Sequence, residues 1–123
     1  MINFLKIKNK NKKGTFYSPF VLIGGGENGR NGTKYETGEI DSEIIRLTNK
    51  VNNINFLFIA HGNDYEDSYY DVMKKIYTER FNCNCNIITK KELLNRENVQ
   101  KKIEWADIIY VGGGNTLKMI QLW

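Results

Sequence analysis

Four short apolar runs punctuate the chain, and helical patterns separate them. The runs are Phe20–Ile23, Phe56–Ala60, Ile87–Thr89 and Ile108–Val111. Each is continuous rather than alternating, as expected of a strand covered on both faces. Ile40, Ile44, Leu47 and Val51 recur at helical spacing, with Asp41 and Glu43 near the start of that stretch. Tyr69, Val72, Met73, Ile76 and Tyr77 form a second stripe, with Asp64 or Asp67 available as its N-cap. Val99 and Ile103 mark a shorter helix capped by Asn98, and a fourth opens at Thr116 with Leu117, Ile120 and Trp123 facing inward. Strand and helix alternate throughout, which predicts an α/β layer fold with a parallel sheet and right-handed crossovers.

Length makes this one domain: 123 residues bury a core but not a second lobe. Apolar residues at 41% and charged residues at 26% are the proportions of a globular chain. Residues 1–18 stand apart as a basic, flexible extension, with Lys6, Lys8, Lys10, Lys12 and Lys13, and the remainder, 19–123, reads as the α/β domain. The formal charge of +4 gathers in that extension. Elsewhere Lys and Arg interleave with Glu and Asp as on a solvated helix face, so no nucleic-acid partner is expected. No apolar run is long enough for a membrane span or a signal-peptide core, so the expected location is cytoplasmic. Cys83 and Cys85 match no zinc or redox spacing and read as reduced thiols; no cluster of ligand residues predicts a metal.

Candidate chemistry sits where ligands bind in such sheets, at the carboxyl ends of the strands. Gly24, Gly26 and Gly29 formally make a G-x-G-x-x-G pattern, but a polar loop follows where that motif needs a helix. The alternative is a loop over a pocket, in which Gly25 and Gly26 let the backbone approach a substrate. His61 follows the second strand and reads either as a general base or as a structural, loop-capping histidine; it is kept as a candidate substrate-binding residue. Gly112-Gly113-Gly114-Asn115 ends the fourth strand and opens a helix. Backbone N–H groups there are suited to an anion, either a phosphate or the oxyanion of acyl transfer. The plain alternative is a tight turn capped by Asn115 or Thr116.

The blocks IGGGE at 23–27, EIDSEIIRLTNK at 39–50 and ADIIYVGGGNTLKMIQLW at 106–123 resemble the peptidase E family of serine peptidases, within the class I glutamine-amidotransferase-like superfamily. The resemblance covers roughly 20–123. It implies a three-layer α/β/α fold with a mostly parallel sheet, flavodoxin-like or amidotransferase-like, and a hydrolase of short peptides that favours an N-terminal aspartate. It implies no cofactor, and it places an oxyanion-hole N–H on Gly113 or Gly114, with Asn115 holding the turn. The family's nucleophilic serine lies in a G-x-S-A-G elbow after the next helix and strand. None of Ser18, Ser42 or Ser68 lies in such an elbow, and His61 does not match the family histidine. The expectation is therefore the N-terminal portion of a peptidase, truncated after the fourth strand and inactive alone. That strand would present an unpaired edge, with self-association through it. A non-catalytic amidotransferase-like relic and a nucleotide- or anion-binding α/β module are the other readings.

Overall fold

The computed structural model describes residues 3–7, 9–10 and 16–123, with side chains described from Ser18 onward. Seven strands and four helices are assigned among them. The strands are β1 (Asn3–Ile7), β2 (Asn9–Lys10), β3 (Phe16–Tyr17), β4 (Phe20–Ile23), β5 (Asn55–Ile59), β6 (Asn84–Ile87) and β7 (Ile108–Val111). The helices are α1 (Gly38–Leu47), α2 (Glu66–Glu79), α3 (Arg96–Trp105) and α4 (Thr116–Leu122). Five strands form one sheet in the order β4-β1-β7-β5-β6, while β2 and β3 pair separately. The pairs β7–β5 and β5–β6 are parallel, and β1 runs antiparallel to both of its neighbours.

Strand β5 shows why the sheet sits between two helical layers. Phe56, Phe58 and Ala60 point into one core, with Ile44 of α1 and Tyr69, Met73 and Tyr77 of α2. Leu57 and Ile59 point into the other, with Met119 of α4 and Val99 of α3 packed there. A strand buried on both sides needs apolar residues at consecutive positions, and Phe56–Ile59 supplies them. The first core is aromatic: the rings of Phe56 and Tyr77 stack with centroids 3.8 Å apart. The chain is thus a three-layer α/β/α fold.

Five expectations change. The segment 1–18 contributes β1 to the sheet, between β4 and β7; Lys8, Lys12 and Lys13 lie outside the described residues. Consequently the strand at 108–111 is not an unpaired edge, because β7 has β5 on one side and β1 on the other. The third strand is Asn84–Ile87 rather than 87–89, and its alternation of Asn and Cys suits an edge position. Helix α4 turns Met119 inward and leaves Leu117, Ile120 and Trp123 exposed, while α1 ends at Leu47 and Val51 is fully exposed.

Helix starts follow local chemistry. The Asn95 side chain accepts the Asn98 N–H, so the cap of α3 lies three residues before the one expected. The helix α2 begins after Tyr65 with no side-chain cap; Asp67 falls inside its first turn, where a carboxylate suits the helix dipole.

Candidate functional site

Strands β4, β5, β6 and β7 all run the same way, so their carboxyl ends share one edge of the sheet. Three loops leave that edge: 24–37, 60–65 and 112–115. Two of them cross with backbone against backbone. The Asn115 N–H donates to the Gly62 carbonyl at 2.7 Å. A Cβ on Gly114 would stand 2.4 Å from the Gly62 carbonyl carbon and oxygen, and one on Gly62 would stand 2.8 Å from the Asn115 oxygen. Backbone atoms cannot swing aside as a flexible side chain can, so both positions demand glycine. The Ala60-His61-Gly62 strand end is thereby explained: Gly62 is the counterpart of Gly114.

The three glycines of the turn differ in what their N–H groups do. Gly112 donates to the Ile59 carbonyl at 2.7 Å and continues the β7–β5 ladder. Gly113 is buried, with its backbone beside the Tyr69 hydroxyl. Gly114 is exposed, and among the described residues its N–H has no acceptor. Asn115 then caps α4, its Oδ1 accepting the Lys118 N–H at 3.1 Å. Of the two candidate donors, Gly114 is the one open to a ligand.

His61 is 1% exposed and both ring nitrogens are engaged. Nε2 lies 2.8 Å from the Ile88 carbonyl oxygen, and the Trp123 indole N–H donates to Nδ1 at 2.9 Å. A carbonyl only accepts and an indole N–H only donates, so the proton resides on Nε2. The imidazole ties β5 to the segment after β6 and to the end of α4, which is the work of a structural histidine.

Gly25 and Gly26 lie in the exposed loop after β4, apart from the Gly62–Gly114 crossing. A Cβ on Gly25 would meet nothing within 4 Å; one on Gly26 would press the Thr37 methyl at 2.9 Å. The chain enters its next α-helix only at Gly38, so the glycines at 24, 26 and 29 do not open a helix as a dinucleotide motif does. What this loop does bring to the site is Arg30, whose guanidinium carbon lies 4.0 Å from the centroid of the Tyr69 ring. Burial pushes the Tyr69 hydroxyl above the usual phenol range, with Arg30 and the Gly113 N–H acting in the opposite direction. Neither Arg30 nor Tyr69 stands out in the sequence, although Arg30 is the one cation among residues 24–33.

A buried carboxylate secures the far end of the loop. Asp41 is 1% exposed and accepts from the hydroxyls of Tyr35 at 2.7 Å, Thr37 at 2.9 Å and Tyr77 at 2.7 Å. Both phenols are pushed above the normal range, chiefly by burial. Cys83 and Cys85 are free; burial pushes the Cys83 thiol up to about 12. Among the described residues no group of three or more His, Cys, Asp or Glu side chains could hold a metal, and no helix is long and apolar enough to cross a membrane.

Two cavities bear on function. The larger, of about 650 Å³, lies on the α3–α4 side, with Ile88, Leu93, Val99, Ile103 and Trp123 in its wall. Its wall is mainly apolar, with His61, Arg96, Gln100 and Glu104 also in the lining. The smaller, of about 380 Å³, is lined by Arg30, Asn31, Asn63, Tyr65, Ser68 and Val72, on the loops that leave the strand ends.

A family model described as Peptidase family S51 matches residues 20–123. No curated protein and no solved structure matches the chain.

Proposed function

The chain belongs to peptidase family S51, and from that membership we propose that residues 112–115 are the oxyanion-stabilising turn of a serine-type peptidase acting on short peptides with an N-terminal aspartate. One observation carries the reading: the Gly62–Gly114 crossing fixes the turn at exposed Gly114, whose N–H has no acceptor among the described residues. A donor held in place before the reaction needs no reorganisation when charge develops on the carbonyl oxygen. The Tyr69 ring packs against the turn, 2.7 Å from where a Cβ on Gly112 would stand, and Asn115 fixes the exit of the turn into α4. The 123 residues contain no G-x-S-x-G elbow, so in this reading the nucleophile comes from outside them. The same reading places the chain in the cytoplasm, in keeping with its two free thiols.

Magnitudes set the test. Removing an oxyanion donor costs about 10²–10³ in kcat, whereas removing the nucleophile costs on the order of 10⁶. Residues 1–123 alone are expected to show no measurable hydrolysis of Asp-X dipeptides. A polypeptide that carries these residues together with the nucleophile is expected to hydrolyse them; G114A keeps the N–H, but its methyl, 2.4 Å from the Gly62 carbonyl, displaces it, with kcat lower by up to about 10²–10³. Hydrolysis by 1–123 that a substitution within the chain abolishes would show that the nucleophile is here. An unchanged kcat in G114A would remove the turn from the mechanism.

A further inference from the structure

The cavity lined by Arg30, Asn31, Asn63, Tyr65, Ser68 and Val72 contains one charged side chain, and it is a cation. Among the described residues Arg30 forms no ion pair. Of the acids that flank the cavity in sequence, Asp64 pairs with Lys118 and Glu66 accepts from the Lys90 N–H, while Asp67 and Asp71 are exposed on α2 and outside the lining. Arg30 is half-buried, and the Tyr69 face beneath it, at 4.0 Å from the guanidinium carbon, restricts where the group can lie. A guanidinium stacked on a ring keeps its edge donors for a planar anion. The remaining polar lining is neutral. The Asn63 side-chain oxygen is already taken by the Tyr65 N–H at 2.8 Å, which leaves its amide group to donate. The Ser68 hydroxyl already donates to the Tyr65 carbonyl at 3.1 Å; one forked cation with amide donors, and no carboxylate in the lining, is complementary to a carboxylate.

Its position gives that anion a meaning. Tyr69, on which Arg30 rests, packs against the glycine turn, where a Cβ on Gly112 would stand 2.7 Å from its ring, and exposed Gly114 follows two residues on. We propose that Arg30, in this cavity, is a specificity-determining residue that binds the carboxylate of a short acidic peptide whose reacting carbonyl lies at the 112–115 turn. The proposal rests on the peptidase reading for the identity of the ligand, but binding can be measured without turnover. Arg30 supplies the charge, and the Tyr69 ring beneath it also packs against the glycine turn.

The test titrates the 123-residue chain by calorimetry or amide NMR with Asp-Ala, with Asn-Ala and with inorganic phosphate. A charge-assisted bond distinguishes the acid from its amide isostere, so Asp-Ala is expected to bind about tenfold more tightly or better. R30Q is expected to erase that ratio, and R30K to retain part of it, because an ammonium keeps the charge and loses the fork. Equal affinity for the two dipeptides, no binding of either, phosphate binding without discrimination between them, or an unchanged ratio in R30Q would each overturn the proposal. Hydrolysis assays of a polypeptide that carries the nucleophile are separate: a failure there removes the peptidase reading and leaves the measured Asp-Ala preference standing.

Discussion

Asp41 shows how one side chain can hold a loop that has little structure of its own. Its carboxylate receives three hydroxyls from Tyr35, Thr37 and Tyr77, so the end of the 24–37 loop is tied to both α1 and α2. Hydrogen bonds to a charged group contribute about 1.5–3 kcal/mol each, and an amide in its place meets the same donors with only one acceptor atom. D41N is therefore expected to destabilise the fold by about 2–3 kcal/mol, read as a lower urea midpoint, with Y77F losing less. A second residue sets an alkaline limit. Burial holds the Cys83 thiol up to about 12, against 9.0 for an unperturbed thiol. Above about pH 9 the unfolded chain releases this proton while the folded chain retains it, so stability falls with rising pH in that window and is independent of this group below it. Tyr70, pushed up to about 12 from 10.0 by burial, adds to the decline at higher pH. Urea midpoints at about pH 8 and about pH 10.5 are expected to differ, and C83A is expected to narrow the gap.

Among the elements, the crossing of the 60–65 and 112–115 loops is the most constrained. G62A and G114A each force a methyl into backbone, and such overpacking costs about 1–3 kcal/mol. Because the obstructing atoms belong to the same pair of loops, displacement caused by the first substitution makes room for the second. The double variant is expected to be less destabilised than the sum, by more than about 0.5 kcal/mol in a thermal or urea cycle; strict additivity would separate the two positions. Cap chemistry is simpler: N95A removes the bond to the Asn98 N–H and is expected to cost about 1 kcal/mol. The elements that bury apolar runs on both faces were legible in the sequence, β5 and β7 above all. The others fail for physical reasons. In β1 the sequence N-F-L-K-I is embedded among lysines, and charge masks a strand that belongs inside the sheet. β6 sits at an edge and needs few apolar residues. Helix α4 spans seven residues, too few for periodicity to define a face, and its contact with Leu57, Ile59 and Val111 goes through Met119. At the site, the GGGN turn is plain in the sequence, but Arg30 reaches Tyr69 from a loop whose path no local pattern encodes.

For the molecule as a whole, the insertion of β1 moves the sheet edge from β7 to β4. That edge presents Phe20 at 69% and Leu22 at 66% exposure. Both lie on an edge strand, paired on one side only, which is the usual template for pairing with another chain. We therefore expect concentration-dependent self-association by light scattering, weakened in F20K/L22K; association unchanged in that variant would place the contact elsewhere. The other end of the chain is held by Trp123, whose indole N–H reaches the buried imidazole of His61. The protein has two tryptophans, and Trp105 belongs to α3. With W105F as background, the remaining indole becomes a built-in optical gauge. Its emission and lifetime follow the docking of α4 against β5, and so indicate whether the helix behind the glycine turn is seated.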